Sequence, residues 1–228
     1  MKMIARMLVF LLVATALSAA DKIDLAKGQK HWAFQPVKKP ALPTVKNKAW
    51  VKTSIDQFIL ARLEKAGLQP APAAAPRDLQ RRIHYALRGL PPVPNSKIVD
   101  LKSEIKIQMA TPQYGERWAR HWLDVTRFAE SGGFELDGMR PHAYQFRDFV
   151  IKAFNDDLPY NQFVQWQIAG DEFAPDNIEA LKATGFLGCG VRNAVITKNQ
   201  VEKERYDDLD DILSTTRTSM LGLSVGCA

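Results

Sequence analysis

Apolar positions along this chain recur at helical rather than strand spacing. Between Ser54, a good N-cap, and Gly67, the residues Ile55, Phe58, Ile59, Leu60 and Leu63 fall on one stripe, the i, i+3, i+4 pattern of an amphipathic helix. A second helix is predicted over 77–88, with Leu79, Ile83 and Leu87 on one side, and Gly89-Leu90-Pro91-Pro92-Val93-Pro94 stops it. A third is predicted over 98–109 with a mixed Lys/Glu outer face. Pro112 and Gly115 punctuate before 116–129, where Trp118, Trp122, Val125 and Phe128 share a face expected to be buried. Helices over 144–154, 161–168, 178–186 and 203–220 complete the series, with a loop from Gly132-Gly133 to Pro141. Neither strand-type alternation nor an internal repeat stands out. The predicted fold class is all-α, an irregular multi-helix domain with long Pro- and Gly-containing loops.

The beginning of the chain follows a different pattern. Lys2 and Arg6 precede an apolar run from Met7 to Leu17 broken only by Thr15, and Ser18-Ala19-Ala20 follows. These are the three regions of a secretory signal peptide, predicted over 1–20, with an apolar run too short for a permanent membrane span. The mature protein is expected to begin near Asp21, periplasmic or secreted, in an oxidising compartment. Residues 21–53 read as an extended Pro-rich strap, with Trp32, Phe34 and Trp50 laid across the domain and Pro36, Pro40 and Pro43 opposing helix. An Ala- and Pro-rich linker runs from Pro70 to Pro76, inside a helical domain expected over 54–228.

Composition changes this picture little. The 228 residues are 46% hydrophobic and 25% charged, ordinary values that point neither to disorder nor to a membrane-embedded fold. The formal net charge is +6; without Lys2 and Arg6, 29 basic residues face 25 acidic ones. So small a surplus suits an anionic envelope polymer or lipid headgroups and does not single out nucleic acid, which is not expected as a partner.

Several residue groups carry candidate chemistry. None of the histidines (His31, His84, His121, His142) stands at a metal-ligand spacing. His121 has Asp124 one turn on, a carboxylate placed to orient the imidazole as a base or ligand, or simply to satisfy a core histidine. Glu204, Asp207, Asp208 and Asp211 share one face of the last helix, which either holds a divalent cation or pairs with the arginines Arg117, Arg120, Arg127 and Arg147. The segment from Glu135 and Asp137 to Arg140 and His142 gathers polar groups on a flexible loop, the material of a site or of an ordinary turn. Gly185, Gly188 and Gly190 follow no strand, so no dinucleotide-binding loop is indicated. Cys189 and Cys227 are the two cysteines, and a disulfide between them is the default expectation for an exported chain.

The segment Tyr114-Gly115-Glu116-Arg117-Trp118-Ala119-Arg120-His121-Trp122-Leu123-Asp124 resembles the core of the planctomycete-type cytochrome c family that carries domain of unknown function 1549. The likeness extends to His31-Trp32-Ala33-Phe34, to 55–63, to Gly89-Leu90-Pro91-Pro92, to Asp157-Leu158-Pro159-Tyr160, to Ala169-Gly170-Asp171 and to Thr184-Gly185-Phe186-Leu187. The resemblance implies that 221–228 leads into a C-x-x-C-H haem-attachment motif of which Cys227 is the first cysteine. The chain as written is then truncated at that motif and carries no covalent haem c, while an intact parent does. It further implies electron transfer with a redox partner in that parent, with His121 or His142 as candidates for the second axial ligand. Two other readings stand beside it: an enzyme acting on an extracellular polymer through His121, Asp124 and the 135–142 loop, and a non-catalytic binding module.

Overall fold

Pro36, Pro40 and Pro43 withhold backbone donors and fix φ, and the chain runs without helix between two single 3-10 turns, Trp32–Phe34 and Lys48–Trp50. A computed structural model describes residues 25–97, 100–133, 136–191, 193 and 195–224; the expected signal peptide and Cys227 lie outside them. Two compact units, Met1–Pro72 and Ala73–Ala228, divide within the Ala/Pro-rich linker. The first holds α1 (Leu25–Gln29) and α2 (Ser54–Lys65). Thr53, not Ser54, caps α2: its hydroxyl accepts from the Asp56 N–H while the Asp56 carboxylate accepts from the Thr53 N–H at 2.8 Å. These backbone bonds hold the Asp56 carboxyl below its ordinary range. Glu64 ties the extended segment to α2, accepting from the backbone of Lys46 and Asn47. Trp32 and Phe34 are 80% and 63% exposed, with the His31 ring beside each.

The second unit contains α3 (Pro76–Leu87), α4 (Leu101–Met109), α5 (Pro112–Val125), α6 (Tyr144–Asn155), α7 (Tyr160–Phe173), α8 (Ile178–Ala183) with a 3-10 turn to Gly188, and α9 (Val201–Leu221). Among the described residues there is no strand, only one isolated bridge between Ser131 and Met139, and no helix long and apolar enough to cross a membrane. The fold is all-α, as the periodicity predicts.

The core joins Ala119 of α5, Phe146, Phe149, Val150 and Ala153 of α6, Phe163 of α7 and Ala183, Phe186 and Cys189 beyond. Its central event is the close approach of α5 and α6 at Gly115. That N–H donates to Asn155 Oδ1 at 2.8 Å, and Asn155 Nδ2 donates to Pro112 O at 3.1 Å. A Cβ at position 115 would stand 2.6 Å from the Asn155 side chain and closer still to the Ile151 carbonyl. This corrects the expected buried face. Gly115, Ala119 and Thr126 face inward with Trp122 partly buried, whereas Trp118 and Val125 are 36% and 45% exposed. Two helices this close admit only small side chains between them, so the bulky ones move to the flanks. A comparable approach occurs in α7, which leaves helical geometry at Ala169; Gly170 then lies against the backbone of Ala180.

The outward Lys/Glu face expected for α4 is also corrected, because Glu104 and Gln108 point inward and are buried against α3. We expect Gly115→Ala to destabilise the fold by about 1–3 kcal/mol through overpacking, measured by urea denaturation. An unchanged midpoint would show that the helices separate freely.

Candidate functional site

α5 ends because Arg127 enters the left-handed region (φ 58°), where the Phe128 N–H bonds the Leu123 carbonyl at 2.9 Å. The chain then doubles back through a narrow loop. Gly132 N–H donates to Gly138 O at 2.7 Å, Arg140 N–H to Glu130 O at 2.8 Å, and Gly133 N–H to Asp137 Oδ1 at 2.9 Å. With its backbone fixed in this way, Arg140 sends its guanidinium across to the carbonyl oxygens of Gly188 (3.0 Å) and Gly190 (2.6 Å). Arg147, on α6, pairs with Glu130 and Asp148.

Between this loop, the first turn of α6 and residues 181–189 lies a cleft of about 540 Å³. Arg140, His142, Lys182, Gln145 and Thr184 supply its polar groups, with Phe128 and Phe146 among its apolar ones. No carboxylate lines it among the described residues. Lys182 is paired with Glu179 at 2.7 Å, whereas Arg140 bonds the carbonyls of Gly188 and Gly190 and joins no ion pair among the described residues. Cys189 forms part of the wall, 6% exposed, its thiol donating to Gly185 O at 3.4 Å. Burial pushes that thiol from 9.0 to about 11, against the opposing pull of Thr126, Arg140 and Arg127.

The predicted site residues fall in separate places. His142 lines the cleft, and Glu135 lies outside the described residues. His121 is exposed on α5, edge-on to Trp118 at 5.4 Å, and no hydrogen bond joins it to the exposed Asp124 among the described residues. On α9, Glu204 accepts from Asn193, Asp207 pairs with Lys203 at 2.5 Å, Asp211 pairs with Arg127 at 2.7 Å, and Asp208 is exposed. No three His, Cys, Asp or Glu side chains are grouped to hold a metal among the described residues. The Asp211 carboxylate lifts the Arg127 pKa above its ordinary value and, with Thr215 (2.5 Å), ties α9 to the start of the loop.

A pair that sequence reasoning missed joins α3 to α4. His84 Nε2 lies 2.7 Å from Glu104 Oε1; the two residues are 4% and 6% exposed. Gln108 donates to the same oxygen at 2.8 Å, and Arg88 donates to Gln108 Oε1 at 3.2 Å. Twenty residues separate the partners, and only the predicted outward face of α4 bore on the matter, in the wrong direction.

These features define an all-α domain with a cation-bearing cleft. A family profile matches residues 54–228, and the chain belongs to that family, PSCyt2, described as a protein of unknown function (DUF1549). No curated protein and no solved structure matches it. Covalent c-type haem takes two cysteine thioethers and an axial histidine. Of the two cysteines, Cys189 is a buried core thiol and Cys227 lies outside the described residues.

Two outcomes follow. Iodoacetamide is expected to label Cys189 only after denaturation, read by peptide mass mapping. The folded state holds the thiol proton more tightly than the unfolded chain, so this contribution to stability is full below pH 9.0 and lost as pH rises through about 11. Glu104→Ala, which strands His84 and Gln108 without their shared acceptor, should cost about 2–4 kcal/mol in chemical denaturation. A neutral result would mean that water replaces the carboxylate.

Proposed function

We propose that this chain is an exported binding module whose cleft takes an anionic segment of an envelope polymer. The observation that carries this reading is the cleft lining: Arg140, which joins no ion pair among the described residues, His142 and Lys182 beside it, and no carboxylate among the described lining residues. About 540 Å³ lies within the range of small-molecule sites, room for a short stretch of polymer rather than an extended chain. Phe128 and Phe146 supply apolar surface for the ring faces of a sugar, and Gln145 and Thr184 supply neutral hydrogen-bonding groups. Binding suits the site better than catalysis, because no carboxylate bonds His142 among the described residues and burial raises the pKa of the Cys189 thiol. Export rests on the residues of 1–20, a charged start, an apolar run and a small-residue cleavage site.

Electron transfer is the second reading, favoured by Leu221-Gly222-Leu223-Ser224-Val225-Gly226-Cys227-Ala228, which resembles the approach to a haem-attachment motif. A Soret band that survives acidified acetone, in the protein isolated from its native source, would show the covalent haem that this reading requires.

The test is isothermal titration with polygalacturonate at low and moderate salt. Binding is expected to weaken with salt and to fall severalfold in His142→Ala/Lys182→Ala, while Lys106→Gln, an exposed substitution elsewhere, leaves it unchanged. Equal losses in both variants, or equal affinity for neutral dextran, would reduce the interaction to general surface charge.

A further inference from the structure

A second cavity, of about 330 Å³, is built from α5, the end of α6 and the start of α7. Five aromatic side chains line it (Tyr114, Trp122, Phe154, Tyr160 and Phe163), together with one carboxylate, Asp157. The rings are held firmly. Trp122 and Phe154 stand edge-on to Phe163 at 5.0 and 6.1 Å. Trp122 Nε1 donates to Gln167 Oε1 at 2.7 Å, and the fully buried Gln167 donates in turn to Phe163 O at 2.9 Å. Tyr160, 60% exposed, stands at the open side. The segments that meet here, Tyr114 to Asp124 and Asp157 to Tyr160, lie far apart in sequence.

Asp157 is an expensive residue for its position. The Leu158 N–H bonds the Ala153 carbonyl at 2.9 Å, closing the end of α6 with Asp157 at φ 51°. Glycine makes this turn at lower cost. A carboxylate is also disfavoured beside the negative end of a helix dipole. The neighbouring Asp156 is neutralised by Lys152, whereas Asp157 accepts no hydrogen bond and joins no ion pair among the described residues. No basic residue lines the cavity among the described residues. The site therefore combines five aromatic rings with an exposed carboxylate that has no partner among the described residues.

We propose that this cavity binds an organic cation, an N-alkylated ammonium group whose methyl or methylene carbons rest on the rings and whose charge lies beside Asp157. Aromatic cages favour such cations because a quaternary or alkylated ammonium is weakly hydrated and is attracted to ring faces. A neutral sugar stacks on the same rings but needs several hydrogen-bonding partners, and the lining offers only Asp157 and two tyrosine hydroxyls. This site is separate from the basic cleft and stands whatever that cleft binds.

The test is NMR titration of the protein with choline and with tetramethylammonium, following the Trp122 indole N–H. Both are expected to saturate, with 3,3-dimethyl-1-butanol, the neutral isostere of choline, at least about tenfold weaker. Asp157→Asn should weaken choline by about tenfold with the helical spectrum intact. Asp157→Gly should weaken it equally while raising the Tm, because the turn is relieved of its cost. Equal affinity for the neutral isostere, undiminished binding by Asp157→Asn, saturation by glucose without saturation by choline, or no saturable shift with either cation would each overturn the proposal.

Discussion

Everything in the larger unit follows from how near α5 comes to α6. At Gly115 the two backbones are separated by no side chain at all, and Asn155 spans the contact with one bond in each direction. This fixes the rotation of α5 about its axis, so that Ala119 is buried in the core and Trp122 is delivered to Phe163. With α5 set, its far end releases the loop that reaches Arg140, and its inner face supplies one wall of the aromatic cavity. The small residues of α5 thus determine where the large ones go.

Helix ends then place the charges. Arg127 and Asp157 occupy the positions just past α5 and α6 where glycine is the easier choice. Arg127 carries its charge to Asp211, and Asp157 lines the aromatic cavity. Both turns hold a charged side chain in place of the residue best suited to the backbone, a local cost set against packing on either side. The result is a unit with a basic recess beyond the end of α5 and an acidic, aromatic one beyond the end of α6.

Helix identity was legible because the apolar spacing and the punctuation by Pro and Gly act locally. Most predicted helices fall within a few residues of the observed ones, and Pro112, read as an interruption, proves to sit in the first turn of α5, where its missing N–H costs nothing. Facing was less legible. The pattern of large apolar residues put Trp118 inside, although the close approach selected Gly115 and Ala119, whose smallness gives no signal on a hydrophobicity scale. His84 and Glu104 were illegible as a pair, since charge alone assigns a glutamate to the surface and only the packing of α4 on α3 turns it inward. His142 was legible as loop chemistry, but its companions Lys182 and Thr184 come from a segment forty residues on that only the tertiary fold brings near.

Phe149 lies stacked between Phe146 and Phe163, at 6.4 and 5.8 Å, and those two rings face the basic cleft and the aromatic cavity respectively. The partition between the recesses is therefore a single file of three rings. A change in the middle ring reaches both surfaces in one step, and neither can be re-cut in isolation at that position.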